Sequence, residues 1–251
     1  MNLAAIAQSL IDSLNLSRPP VAVSFAAEAP QDMGSLGRRV AAGCQFWQEG
    51  MSRTFATAQA DHDLCSIGQY THNLGFSPAS ETDLKDTLQV LGELTYVLQS
   101  DIPQIPVLKV SPKHVVYGPL SGAQSVPDVI LLFVRADQQL ILSEATQQVE
   151  GGLAPAMGRP ACAVVPQAAN TSRAALSLGC CGARAYLDAL TPDVAIYAIP
   201  GVKLEAYAER IAALAKANSI LTRFHALRRS DVENGKAPTI KESLAALGAA
   251  G

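Results

Sequence analysis

Five cysteines, at positions 44, 65, 162, 180 and 181, are the residues of this chain best suited to chemistry. A thiolate serves as a metal ligand or as a nucleophile, and it forms where the surroundings lower the thiol pKa. Cys65 lies in Asp61-His-Asp-Leu-Cys-Ser-Ile-Gly68 and Cys181 in Leu178-Gly-Cys-Cys-Gly-Ala-Arg184. Each falls at or within the first turn of a predicted helix, where unpaired amides and the helix dipole favour a thiolate. Gly179 and Gly182 flank the vicinal pair and let the backbone turn tightly and approach a ligand. Arg184 shares a helix face with Cys181 and is expected at the mouth of a cavity, holding an anionic ligand. Its plain alternative is a pair with a surface carboxylate. Cys162 sits in the apolar run Ala161–Val165, read as a strand, and is the cysteine best explained by simple burial.

Four thiolates suggest a metal. Structural zinc uses local Cys-x2-Cys knuckles, and none exists here. An iron–sulfur cluster can be gathered from well-separated cysteines. The expectation is therefore a cysteine-ligated iron–sulfur protein, with a [4Fe–4S] centre as the form considered. Cys44, Cys65 and one of Cys180 or Cys181 are the core ligands, with Cys162 as a fourth. Such sulfurs should lie within about 6–8 Å of one another. A three-cysteine set would leave one iron open for Lewis-acid chemistry on a small molecule; a full set suits electron transfer to a redox partner. Two alternatives stay open. One is a metal-free thiol enzyme or sulfur carrier using Cys180 and Cys181, with His62 or His72 as a base near Cys65. The other is a small-molecule-binding protein with structural cysteines. Gly-x-Gly-x-x-Gly, Walker, His-Glu-x-x-His and Gly-x-Ser-x-Gly motifs are absent, which removes support for the standard nucleotide, zincin and serine-hydrolase readings.

These cysteines must be positioned by the helices and strands that the sequence encodes around them. Leu3, Ile6, Leu10 and Leu14 fall at helical spacing, so residues 2–15 form a surface helix ended by Arg18-Pro19-Pro20. Val21–Phe25 reads as a strand and 26–43 as loop. A helix from about Cys44, a strand over Thr54–Thr57 and a helix over Asp61–Asn73 follow. Residues 81–100 have helical periodicity with Ser80 as cap. Val107–Val110 and His114–Tyr117 look like a hairpin. Asp128–Val134 is a continuous apolar strand, expected to be buried on both faces, and a helix over Asp137–Val149 follows it. Strands are expected over Ala161–Val165, Ala174–Leu178 and Asp193–Ile199. Helices are expected over Cys180–Leu190 and Val202–Ala217. The alternation indicates a single α/β domain, a mixed sheet with flanking helices. Residues 219–251 read as a helical tail.

The chain also repeats itself weakly. Pro127-Asp128-Val129 and Pro192-Asp193-Val194 each open a strand followed by a helix. Upstream of each lies a cysteine pair, 44 and 65, then 162 and 181, with a tyrosine five residues after the second, Tyr70 and Tyr186. Two pseudo-repeated halves, about 18–150 and 151–218, would bring their cysteines together at the centre. Residues 76–126 are then an insertion in the first half.

Composition narrows the classes. The chain has 19 basic and 22 acidic residues and a net charge of −3, which argues against a dedicated nucleic-acid binder. The longest apolar run, Val129–Val134, is far too short to span a membrane. No secretory pattern opens the sequence, so the expected compartment is the reducing cytoplasm, where five cysteines are not a disulfide framework. A small molecule or redox protein is the expected partner, and a homodimer is the oligomer considered.

Arg18-Pro-Pro-Val-Ala-Val23, Cys44, the Cys65 helix leading to Leu74-Gly75, Pro127-Asp-Val129 and Ser177-Leu-Gly-Cys-Cys-Gly-Ala-Arg184 followed by Ile199-Pro200 together resemble domain-of-unknown-function family 169. The resemblance covers most of residues 18–215. Its most specific part, Gly-Cys-x-Gly-x-Arg, is matched by Gly179, Cys180, Gly182 and Arg184. That register places the family's cysteine on Cys180, whereas the tyrosine offset selects Cys181. The resemblance implies a fold and a cysteine-centred site, not a reaction.

Overall fold

The strand from Val129 to Arg135 (β4) carries seven residues with no charge before its last position, and it is buried along almost its whole length. Its side chains alternate between two apolar layers. Val129, Leu131 and Phe133 enter one, and Ile130, Leu132 and Val134 enter the other. A computed structural model, which describes residues 2–28, 33–157 and 160–248, builds the molecule around this strand.

The remaining strands are β1 (Val21–Ala26), β2 (Phe55–Ala58), β3 (His114–Pro119), β5 (Ala156–Met157), β6 (Ala175–Ser177) and β7 (Val194–Pro200). They form one sheet in the order β2-β3-β1-β4-β7-β6-β5. All neighbours are antiparallel except the short β5–β6 pair, so the sheet is mixed, as expected. The segment before residue 150 supplies four adjacent strands and the segment after it supplies three. They meet where β4 pairs with β7, with Leu131 opposite Ala198 and Leu132 opposite Tyr197.

Helices α1 (Leu3–Leu14), α5 (Ala136–Glu150) and α8 (Leu204–Glu233) cover one face of the sheet. The opposite face carries α2 (Gln45–Gly50), α3 (Ser66–His72), α6 (Val164–Thr171) and α7 (Cys181–Tyr186), all of eight residues or fewer. Helix α4 (Pro78–Glu93) stands between α3 and β3, and α9 (Ile240–Ala246) packs on the end of α8. No helix among the described residues is long and apolar enough to cross a membrane.

Several elements differ from expectation for identifiable reasons. Ala161–Val165 is a 3-10 turn leading into α6, not a strand; a short buried apolar run has no periodicity to decide between the two. Val107–Val110 is not half of a hairpin. The Leu108 amide donates to the Thr71 carbonyl, and Asn170 bonds the Val107 carbonyl and the Lys109 amide, so β3 pairs with β1 and β2 instead. Helix α4 starts earlier, with Ser77 as cap and Pro78 at its first position, and it stops at Glu93 before Thr95, whose φ is +53°. The Asp61–Asn73 helix is a 3-10 turn, Gln59–His62, followed by α3. The helix from Cys180 ends at Tyr186 rather than Leu190. Conversely, α8 runs through 218 without a break, because no Gly or Pro interrupts residues 204–233. The expected 26–43 loop includes residues 29–32, which lie outside the described residues.

Candidate functional site

Four of the five cysteines stand at the start of a short helix on the same face of the sheet. Cys44 precedes α2, Cys65 precedes α3, Cys162 lies in the 3-10 turn before α6, and Cys180 precedes α7. The sheet brings these starts together, and all four cysteines line one cavity of about 660 Å³. Cys181 reaches the cavity edge but is solvent-exposed, whereas Cys180 packs against the core. The thiol beside Cys44, Cys65 and Cys162 is thus that of Cys180, the position given by the Gly-Cys-x-Gly-x-Arg register rather than by the tyrosine offset.

The sulfurs sense one another electrostatically. Burial pushes the Cys44 thiol far up, and the nearby Cys162, Cys65 and Cys180 add to the shift. Burial likewise raises Cys162, with Cys65 and Cys180 contributing. Cys65 is raised by burial and by Cys180, while amides of Gly43 and Gly68 hydrogen-bond its sulfur and oppose the shift. Ala183 donates its amide to Cys180 Sγ at 3.4 Å. The Thr71 hydroxyl lies 3.3 Å from Cys162 Sγ and 3.2 Å from the Gly68 carbonyl, and donates to one of them at a time. Without a bound cation, each thiolate would have to form in an apolar pocket beside other sulfurs, so these thiols stay protonated. A cation at the centre inverts that logic, because its charge exceeds every local term and coordination deprotonates thiols outright.

The backbone around Cys65 is shaped for that sulfur. A Cβ on Gly68 would sit 3.0 Å from Cys65 Sγ, and one on Gly43 would meet His62 Nδ1 at 3.2 Å and Cys65 Sγ at 3.7 Å. These two glycines keep open the space into which the sulfur and an imidazole nitrogen project. The sequence pattern drew attention to Gly179 and Gly182 instead. Gly182 lines the cavity, and Gly179 adopts φ +85° to make the turn.

Both histidines near Cys65 are buried. The Thr57 hydroxyl lies 3.0 Å from His62 Nε2 and 3.2 Å from the Val115 carbonyl; when it donates to the carbonyl it accepts from Nε2, which leaves the lone pair on His62 Nδ1. His72 Nδ1 donates to the Gly68 carbonyl, so its Nε2 carries the lone pair. Among the described residues neither nitrogen has a hydrogen-bond partner. Burial holds both rings neutral, lowering His62 to about 3 and His72 to about 4.

Arg184 is not at the cavity. Its guanidinium donates to the Thr191 carbonyl at 2.8 Å, the Val194 carbonyl at 3.3 Å and the Leu178 carbonyl. It locks the loops on either side of α7, which corrects the expectation of an anion-holding arginine. The roof comes from the segment between α3 and β3, where Leu88 and Leu91 of α4, Tyr96, Val97 and Ile105 line the cavity. The Tyr96 hydroxyl accepts from the Cys181 amide at 3.3 Å, tying roof to floor. Sequence reasoning missed the roof because its leucines carry the same helical signature as any surface helix.

Among the described residues, no group of three His, Cys, Asp or Glu side chains is disposed to hold a single metal ion. The donor set itself fits iron–sulfur chemistry: four soft sulfurs from four separate segments, with amide donors aimed at two of them. A family model described as "Uncharacterised ArCR, COG2043" matches residues 9–210. No curated protein and no solved structure gives a significant match.

Proposed function

The chain belongs to the DUF169 family, and we propose that it is an iron–sulfur protein whose cluster is held by Cys44, Cys65, Cys162 and Cys180. The observation that carries this reading is the convergence of four sulfurs from four helix starts on one cavity, in a setting where thiolates are costly without a metal. A cluster held there would supply one-electron transfer or, with one cysteine released, a Lewis-acid iron. The chain's own residues contribute the rest. The Gly43, Gly68 and Ala183 amides donate to sulfur, which raises a cluster's potential. A cytoplasmic protein acting on a small molecule or redox partner fits this reading.

The metal-free thiol reading takes Cys180 and Cys181 as the thiols with His62 or His72 as a base near Cys65, and what favours it is that Cys65 Sγ and His62 Nδ1 both lie beside Gly43. Burial works against it, because it raises the thiol and lowers the imidazole, leaving both neutral. Anaerobic purification with iron and sulfide analysis tests the choice. A brown protein with about four irons per chain is expected. A colourless protein that takes up neither iron nor sulfide would overturn the proposal.

A further inference from the structure

We infer that the roof, residues 76–107, is a lid that opens as one unit about a fixed neck and controls access to the cysteine cavity. This property belongs to the iron-free chain and stands apart from the cluster. Leu88 and Leu91 line the cavity, yet the segment that carries them is anchored in neither core. From Phe76 to Val107 the only buried residue is Ser80, and its hydroxyl bonds Ser77 at the cap of α4. Among the described residues, neither apolar layer of the sheet includes a member of this segment, even among the half-buried side chains packed against it. Burial of apolar surface is what offsets the entropy of ordering a chain, so a segment held this way detaches at small cost. A region with few buried apolar contacts opens at a free energy below that of global unfolding.

The neck is built the opposite way. Asn73, the C-cap of α3, donates through its side chain to the Leu108 and Val110 carbonyls, both at 3.2 Å. Its own carbonyl accepts from the Ser111 hydroxyl at 2.8 Å. The Leu108 amide donates to the Thr71 carbonyl, and Asn170 of α6 bonds the Val107 carbonyl and the Lys109 amide on either side. Leu74 and Leu108 are buried. Both ends of the lid are thereby fixed beside each other and to α6, while Gly75, at φ +77°, supplies the turn out of the neck. Away from the neck, the Cys181 amide donates to the Tyr96 hydroxyl at 3.3 Å, and Cys181 is solvent-exposed. Tyr96 follows Thr95, a β-branched residue at φ +53°, a conformation that such side chains rarely adopt. This latch is the part that gives way first.

The test is native-state hydrogen exchange on the full iron-free chain in low urea, read residue by residue. A 16-residue helix is marginal in water once detached, so the amides of α4 exchange when the lid opens. They should share one opening free energy and one urea slope, both well below the global values read from the amides of β4. The Leu108 amide at the neck should stay protected at least about tenfold longer than those of α4. Tyr96→Phe keeps the ring and removes the latch hydroxyl. It should speed exchange in α4 about fivefold and leave β4 unchanged. Access is read in a Cys181→Ser background by maleimide labelling of Cys44 and Cys162, which are buried and line the cavity. Their labelling should carry the urea slope of α4 and quicken with Tyr96→Phe by the same factor. The inference is overturned if the α4 amides exchange only with global unfolding, or if they open one by one with unrelated slopes. It is equally overturned if Cys44 and Cys162 label only on global unfolding, or at a rate that neither urea nor Tyr96→Phe changes. Because the protein is iron-free throughout, none of these results depends on whether the chain holds a cluster.

Discussion

The two faces of the sheet are sealed by the same alternation of side chains along β4 and β7, yet they are built differently. On one face, α1, α5 and α8 lay long apolar stripes across Leu132, Tyr197 and Ile199. On the other, four short helices meet the sheet, and their starts bring in cysteines, two neutral histidines and a cavity. A long helix presents one continuous surface and excludes gaps. Short helices present ends, and ends carry free amides and leave space between neighbours. The comparison predicts that stability and chemistry separate by face.

The largest effect should come from the long-helix face. Leu132→Ala should cost about 2–5 kcal/mol in denaturant unfolding, because Leu132 is fully buried. Iron uptake per folded chain should stay unchanged. Loss of iron uptake at conditions where this variant remains folded would show that the two faces are not separable.

The cysteine face should instead impose acid lability. Both histidines have folded pKa values below the unfolded value near 6.5, about 3 for His62 and about 4 for His72. The unfolded chain therefore binds protons first as pH falls. The stabilisation from neutral burial is fully present above pH 6.5 and is lost as pH falls towards 4. Between pH 7 and pH 5 the loss should be about 2 kcal/mol for each histidine. The buried thiols act at the other end, since raised folded values erode stability once the unfolded thiols ionise, above about pH 9. Urea unfolding of iron-free protein at pH 5, 7 and 9.5 checks both signs. A flat profile from pH 7 to pH 5 would contradict the burial of these rings.

Much of this contrast can be read in the sequence. The unbroken apolar run at 129–134 announces a strand buried on both faces, and the cysteine pairs spaced along two similar segments anticipate convergence. The choice between Cys180 and Cys181 is not legible from spacing, because adjacent residues differ only in which side of the turn they face. The roles of His62 and His72 depend on Thr57, Val115 and Gly68, whose hydrogen bonds the sequence does not announce. Arg184 misleads for a related reason. A cation beside a thiol looks like an anion holder until the carbonyls of Leu178, Thr191 and Val194 are seen around it.

Smaller effects sharpen the comparison. Gly68→Ala places a methyl 3.0 Å from Cys65 Sγ, and should lower iron uptake while costing about 1–2 kcal/mol. If iron uptake is normal, the cradle around Cys65 is not part of the site. Arg184→Ala should cost about 1 kcal/mol, seen as a fall of roughly 2–4 °C in Tm, since its bonds are to carbonyls at the surface. It should leave iron content intact.

The most direct test is anaerobic reconstitution with iron and sulfide of five single variants, Cys44→Ser, Cys65→Ser, Cys162→Ser, Cys180→Ser and Cys181→Ser, read by visible absorption and by iron content per folded chain. Cys181→Ser should match the unsubstituted protein, and each of the other four should lose or destabilise the chromophore. A chromophore that survives Cys180→Ser and disappears with Cys181→Ser would contradict the arrangement of the four buried sulfurs as the functional centre.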